Sequence, residues 1–131
     1  MDILLDTHIW IWSVVEKSRL RNRVLAALEN PANRLLISPI SVWEALLLFE
    51  KGRVEVDVDP AVWVRQVWAS GFYEEAPLTN EVAIFSRVLK LRHDDPADRF
   101  IAATAMVNGY TLATADQHLL KSPGIRTLPN R

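Results

Sequence analysis

Four carboxylates carry the chemical suggestion in this chain: Asp6, Glu44, Asp98 and Asp116. Asp6 closes the apolar run Ile3-Leu4-Leu5, and Asp116 follows the run Tyr110 to Ala113 through Thr114. Glu44 falls in the first turns after Ser38-Pro39, and Asp98 just after Asp95-Pro96. Brought together without a counter-charge, four carboxylates would repel and raise one another's pKa, a cost that a bound cation removes. Oxygen donors with no cysteine in the chain favour a hard ion, Mg²⁺ or Mn²⁺, over zinc. Two such ions ~4 Å apart would clamp a phosphodiester for hydrolysis. The hydroxyls of Thr7, Ser41 and Thr114 stand where they can orient the acids, and Asp95 suits the N-cap of the helix bearing Asp98.

Every one of these acids also has a structural reading. Ser41-x-x-Glu44 matches a capping box, although Ser38-Pro39 starts the helix one turn earlier. Asp6 and Asp116 would each cap the helix that follows. Arg99 reads as a phosphate contact or as a surface residue paired with an acid. His8 and His118 are isolated, and His93 reads as a solvated loop residue.

The elements that must position the acids follow from hydrophobic patterning. Short aliphatic runs without alternation suit strands covered on both faces of a parallel sheet: Ile3 to Leu5, Leu35 to Ile37 within Arg34 to Ser38, and Tyr110 to Ala113. Phe72 to Ala76 and Ile125 to Leu128 add two shorter strands. Between them lie helices. Ile9 to Val15 is apolar on all sides, and Ser18 is placed to cap a second helix carrying Leu20, Val24, Leu25 and Leu28, ended by Asn30-Pro31 and paired with the first as a hairpin. Pro39 opens a helix running to about Lys51 and closed by Gly52, and Asp59-Pro60 opens another ending near Gly71. Arg53 to Asp59, with Val54, Val56 and Val58, alternates as an exposed extended segment. Thr79 caps a helix with Val82, Ala83, Phe85, Val88, Leu89 and Leu91. The loop His93 to Pro96 leads into a helix from Ala97 to Asn108 that stops at Gly109, and a brief helix starts at Gln117. Strands separated by helices imply parallel pairing through right-handed crossovers. The predicted fold is one α/β domain spanning 1–131, a three-layer α/β/α sandwich around a mostly parallel sheet of about five strands. Its carboxyl edge is where such sheets bind ligands.

Composition limits the alternatives. A chain of 131 residues, half of them apolar, suits a single core, and a net charge of −1 offers no general attraction for nucleic acid, so any such contact must be local. The lack of cysteine, of a signal-like start and of a membrane-length apolar run points to the cytoplasm and away from the membrane. A glycine-rich phosphate loop and a Gly-x-Ser-x-Gly elbow are absent. A phosphatase with Asp6 as nucleophile lacks its second Asp, since position 8 is His8. A catalytically silent binding module is the other competitor, and four intact acids speak against it. Trp10, Trp43, Leu46 and Leu47 are read as lining an apolar groove for a protein partner.

The motifs Leu4-Leu5-Asp6-Thr7-His8, Ser41-Val42-Trp43-Glu44, His93-Asp94-Asp95-Pro96-Ala97-Asp98-Arg99 and Leu112-Ala113-Thr114-Ala115-Asp116 resemble, in order and spacing, those of PIN domains, in the branch of VapC-like toxins. The resemblance spans nearly the whole chain. It implies a Mg²⁺- or Mn²⁺-dependent endoribonuclease with Asp6, Glu44, Asp98 and Asp116 at the acidic positions. RNA as substrate, a cognate antitoxin and a homodimer are further implications.

Overall fold

The structure is a computed structural model and describes residues 1–91 and 94–131. Five strands, β1 (Asp2–Leu5), β2 (Arg34–Ile37), β3 (Glu74–Glu75), β4 (Thr111–Thr114) and β5 (Thr127–Pro129), form one sheet in the order β3-β2-β1-β4-β5, every pairing parallel. The chain builds outward from β1 to β2 and β3, then returns to lay β4 and β5 on the other flank. This reversal between β1 and β4 is a topological switch point, whose carboxyl-end crevice is the usual ligand site of open α/β sheets.

The two-residue strand period divides the core. Ile3, Leu5, Ile37, Ala113 and Leu128 face one side, with α1 (Thr7–Val15), α2 (Asn22–Glu29) and α4 (Pro60–Ala69). Leu4, Leu36 and Leu112 face the other, with α5 (Asn80–Val88) and α6 (Pro96–Asn108). Each buried Leu or Ile contributes about 1.5 to 3 kcal/mol, so coverage of both faces is what turns short aliphatic runs into strands. The helix α3 (Pro39–Glu50) packs against α1, α4 and α6 and contributes to both sides. The remaining helix, α7 (Gln117–Leu120), is a single turn.

Several helix boundaries follow side-chain caps anticipated from sequence. Ser38 Oγ accepts from Ile40 N, Asp59 from Ala61 N, Thr79 from Val82 N, and Asp95 Oδ1 from Asp98 N. Gly109, at φ 71°, ends α6 in the left-handed region where a Cβ would be strained.

Three local expectations are corrected. Ser18 caps no helix among the described residues: Lys17–Arg19 winds into a 3₁₀ turn, Leu20 turns into the core, and α2 begins at Asn22. The amide of Arg21, its N-cap, donates instead to Asn130 Oδ1 at 2.7 Å, a partner from the far end of the chain. The third strand is only Glu74–Glu75, although Ala76 N still donates to Ile37 O. Val54 and Val56 are drawn against the core, so the connector after α3 is only half exposed. His93, expected to begin the loop before α6, lies outside the described residues.

Candidate metal and phosphodiester site

Asp6 follows β1 directly and is 7 % exposed. Its backbone N–H continues the sheet by donating to Ala113 O, fixing the residue at the β1/β4 junction. Both carboxylate oxygens are engaged: Oδ1 accepts from Thr7 N at 2.8 Å and Oδ2 from Thr114 Oγ1 at 2.7 Å. Burial raises the Asp6 pKa, opposed by the bonds from Thr114 and Thr7, while nearby Glu44 raises it further and His8 lowers it. The sequence thus places a carboxylate where its charged form is costly, with a second acid close enough to add to that cost.

Glu44 is held by α3, whose start is capped by Ser38. The capping-box reading therefore fails: Ser41, fully buried, receives the Thr7 hydroxyl proton at 3.0 Å, tying α3 to α1 beside Asp6. Among the described residues Glu44 makes no hydrogen bond or ion pair, so it is uncommitted structurally. Thr114 links the opposite wall. Its hydroxyl donates to Asp6 and accepts from Asp116 N at 3.0 Å. Asp116 does cap α7, and both bonds, from His118 N and Leu119 N, fall on Oδ1. Asp98, 9 % exposed, lies in the first turn of α6, which Asp95 caps.

Asp6 and Asp116 follow the central strands β1 and β4, while Glu44 and Asp98 lie near the starts of α3 and α6, two helices that pack on each other. The Glu44 charge acts on Asp6, and Thr114 joins Asp6 to the Asp116 backbone. The donor chemistry fits a hard divalent ion: oxygens only, with a buried carboxylate that a cation would relieve. Among the described residues, no three His, Cys, Asp or Glu side chains are gathered tightly enough to hold an ion by themselves.

Two expected roles are corrected. Trp10 cannot line a partner groove, because it is fully buried, its ring 5.6 Å from that of Trp63 at a tilt of 53° and edge-on to Tyr73. Trp43 remains 57 % exposed, with Leu46 and Leu47 half-buried on the same helix. Arg99 is neither a phosphate contact nor a surface residue. It is 6 % exposed, and its guanidinium donates to the carbonyls of Ser86, Leu89 and Leu91, holding the end of α5 and the segment beyond it to α6. Residues overlooked from sequence are Asn130, whose partners are more than a hundred positions away, and the contact of His8 with Trp12, whose i,i+4 spacing was the available signal.

A cavity of about 810 Å³ lies away from the four acids. It opens between α1, α2 and α4, lined by residues including Val14, Leu25, Leu28, Val67 and Phe72.

A family model described as PIN domain matches residues 3–124. Ribonuclease VapC22 of Mycobacterium tuberculosis (strain ATCC 25618 / H37Rv) is 32 % identical over 118 residues, covering 89 % of this chain and 88 % of the relative. The fold is similar to chains in two solved structures. DNA-bound VapBC from Salmonella typhimurium has a TM-score of 0.73 at 20 % identity, covering 100 % of this chain and 99 % of that one. VapBC2 from Rickettsia felis bound to a promoter DNA fragment has 0.72 at 17 %, covering 98 % of each.

Proposed function

This chain belongs to the PIN-domain family, and from that premise we propose that it is a divalent-metal-dependent endoribonuclease, the toxin of a toxin–antitoxin pair. The observation that carries the reading is the buried Asp6 carboxylate at the β1/β4 switch point, with Glu44 acting on it and Thr114 leading to Asp116. Asp6, Glu44, Asp98 and Asp116 are the residues that would hold Mg²⁺ or Mn²⁺. When bound, such an ion supplies positive charge against the phosphate and makes water a better nucleophile. Thr114 and Thr7 keep the Asp6 oxygens in place, Ser41 holds the Glu44 helix against α1, and Asp95 sets the start of the Asp98 helix. The working unit is read as one domain spanning 1–131, homodimeric and cytoplasmic. No helix among the described residues is long and apolar enough to cross a membrane.

The experiment is cleavage of single-stranded RNA by the purified protein with Mg²⁺, Mn²⁺ or EDTA. Cleavage should require the metal and vanish with chelator, and Asp6→Asn should be inactive. Full cleavage in EDTA would overturn the metal reading.

The antitoxin has two apolar surfaces available, the outer side of α3 at Trp43, Leu46 and Leu47 and the cleft between α1, α2 and α4. The cleft encloses about 810 Å³, and Phe72 in its lining is 74 % exposed. It is therefore the proposed seat. Phe72→Asp should weaken capture of the co-expressed antitoxin more than Trp43→Ala, and the opposite order would place the partner on α3.

A further inference from the structure

The first helix leaves the acid crevice carrying a row of flat side chains. His8 and Trp12 stand one helical turn apart on α1, with ring centroids 5.6 Å apart and planes tilted by 52°. Four helical residues advance about 6 Å, which is what brings these two rings together. Arg19 folds back from the 3₁₀ turn so that its guanidinium carbon lies 4.8 Å from the Trp12 ring centroid. His8 and Arg19 are exposed and Trp12 is half-buried. The ion pair of Arg19 with Glu16, at 3.8 Å between two exposed side chains, is too loose to hold the guanidinium against a competitor.

Charge adds to the pattern. The chain has a net charge of −1, yet Lys17, Arg19, Arg21 and Arg23 are concentrated within a few residues, opposed locally only by Glu16, and all four are exposed. The row begins two residues past Asp6.

We propose that His8, Trp12 and Arg19, flanked by Arg21 and Arg23, form a track that holds single-stranded RNA as it leaves the acid crevice. Single strands are gripped by base stacking on aromatic rings and guanidinium planes, with cations along the phosphates. A guanidinium already lying over an indole presents its other face to a base. Both parts of a nucleotide therefore find a partner, whereas an acidic peptide would engage the cations and leave the rings unused. The inference rests on the ribonuclease reading and names where its substrate is held beyond the scissile bond.

The test separates binding from cleavage. Affinity for a labelled twelve-nucleotide single-stranded RNA is measured by fluorescence anisotropy on protein carrying Asp116→Asn, which silences cutting. Adding Arg19→Ala or Trp12→Ala should weaken binding roughly tenfold, the range of one lost stacking contact. Arg19→Lys retains the charge without the plane. It should keep the parent's salt dependence yet fail to recover its affinity. In the otherwise native enzyme, Arg19→Ala should raise KM for long RNA at unchanged kcat and leave a dinucleotide substrate unaffected.

Arg19 is exposed and lies outside the core, so its two variants decide the matter even if Trp12→Ala folds poorly. Binding by both Arg19 variants equal to the parent, with native protein still cutting RNA, would overturn the track and leave the ribonuclease reading intact. Native protein that neither cuts nor binds RNA would remove both. Variants that lose an acidic antitoxin segment while binding RNA normally would reassign the surface to a protein partner.

Discussion

The two walls of the acid crevice are held in place by different means. On the strand side the carboxylate is itself a structural bond: Asp6 accepts from Thr7 and Thr114, and Thr114 passes the connection to the Asp116 amide. On the α6 side the neighbours of Asp98 supply fastening of their own. Asp95 caps the helix and Arg99 ties it to three carbonyls at and beyond the end of α5, while Asp98 sits between them. Adjacent residues of opposite charge, both buried, thus take opposite duties. Where a hydroxyl fastens the acid itself, its loss should lower function and stability together; where a neighbour fastens the helix, the two should separate.

Arg99→Ala would break the α6 side most severely. Three acceptors lose a charged donor in a buried setting, at about 3 kcal/mol or more, and the melting temperature should fall by roughly 10 °C. Asp98→Asn, which leaves the Asp95 cap and the Arg99 bonds in place, should abolish cleavage with a smaller fall in melting temperature. Thermal melts of the two proteins with RNA assays check the separation, and equal melting temperatures would erase the contrast between the walls.

Thr114→Val tests the strand side, where the two effects should travel together. Asp6 Oδ2 and the Asp116 amide both lose their partner, costing about 1 to 3 kcal/mol, and cleavage should drop about 10- to 100-fold. Thr114→Ser should restore most of both. A Val variant that cuts RNA normally would mean that the hydroxyl only supports the fold.

A smaller effect belongs to Asp95→Ala, which removes one cap. About 1 kcal/mol of stability should go, with reduced but persisting cleavage, since Asp95 is not itself at the acid cluster. Complete inactivation at unchanged melting temperature would move Asp95 from support into the site.

Asp6→Asn has the subtlest expected effect on stability, and its sign is reversed. Burial raises the Asp6 pKa, so the fold favours the protonated acid. The stability contributed by this group is full below the ordinary carboxylate range and is lost as pH rises through the raised value. Without metal, Asp6→Asn should therefore melt slightly higher than wild type at neutral pH, with the advantage disappearing in acid. A lower melting point at pH 7 would show that the charged bonds from Thr7 and Thr114 outweigh the burial.

The sheet and its acids were legible because their signals are local. Buried parallel strands appear as unbroken aliphatic runs, and Ser38, Asp59, Thr79 and Asp95 mark helix starts because a short side chain bonds an amide two or three residues on. The order of strands and helices then sets Asp6 and Asp116 behind the two central strands, and α3 and α6, which carry Glu44 and Asp98, against each other.

What the tertiary structure decided depended on partners distant in sequence. An all-round apolar α1 cannot announce which side is buried, so Trp10 went inward onto Trp63 while Val15 stayed out. The start of α2 depends on Asn130, and the duty of Arg99 on carbonyls of the preceding helix and the segment after it. Trp12 acquired its guanidinium only when the 3₁₀ turn carried Arg19 back over it. Patterning along a chain reports the period of burial; it does not report which of several equally apolar faces, or which remote donor, will supply the contact.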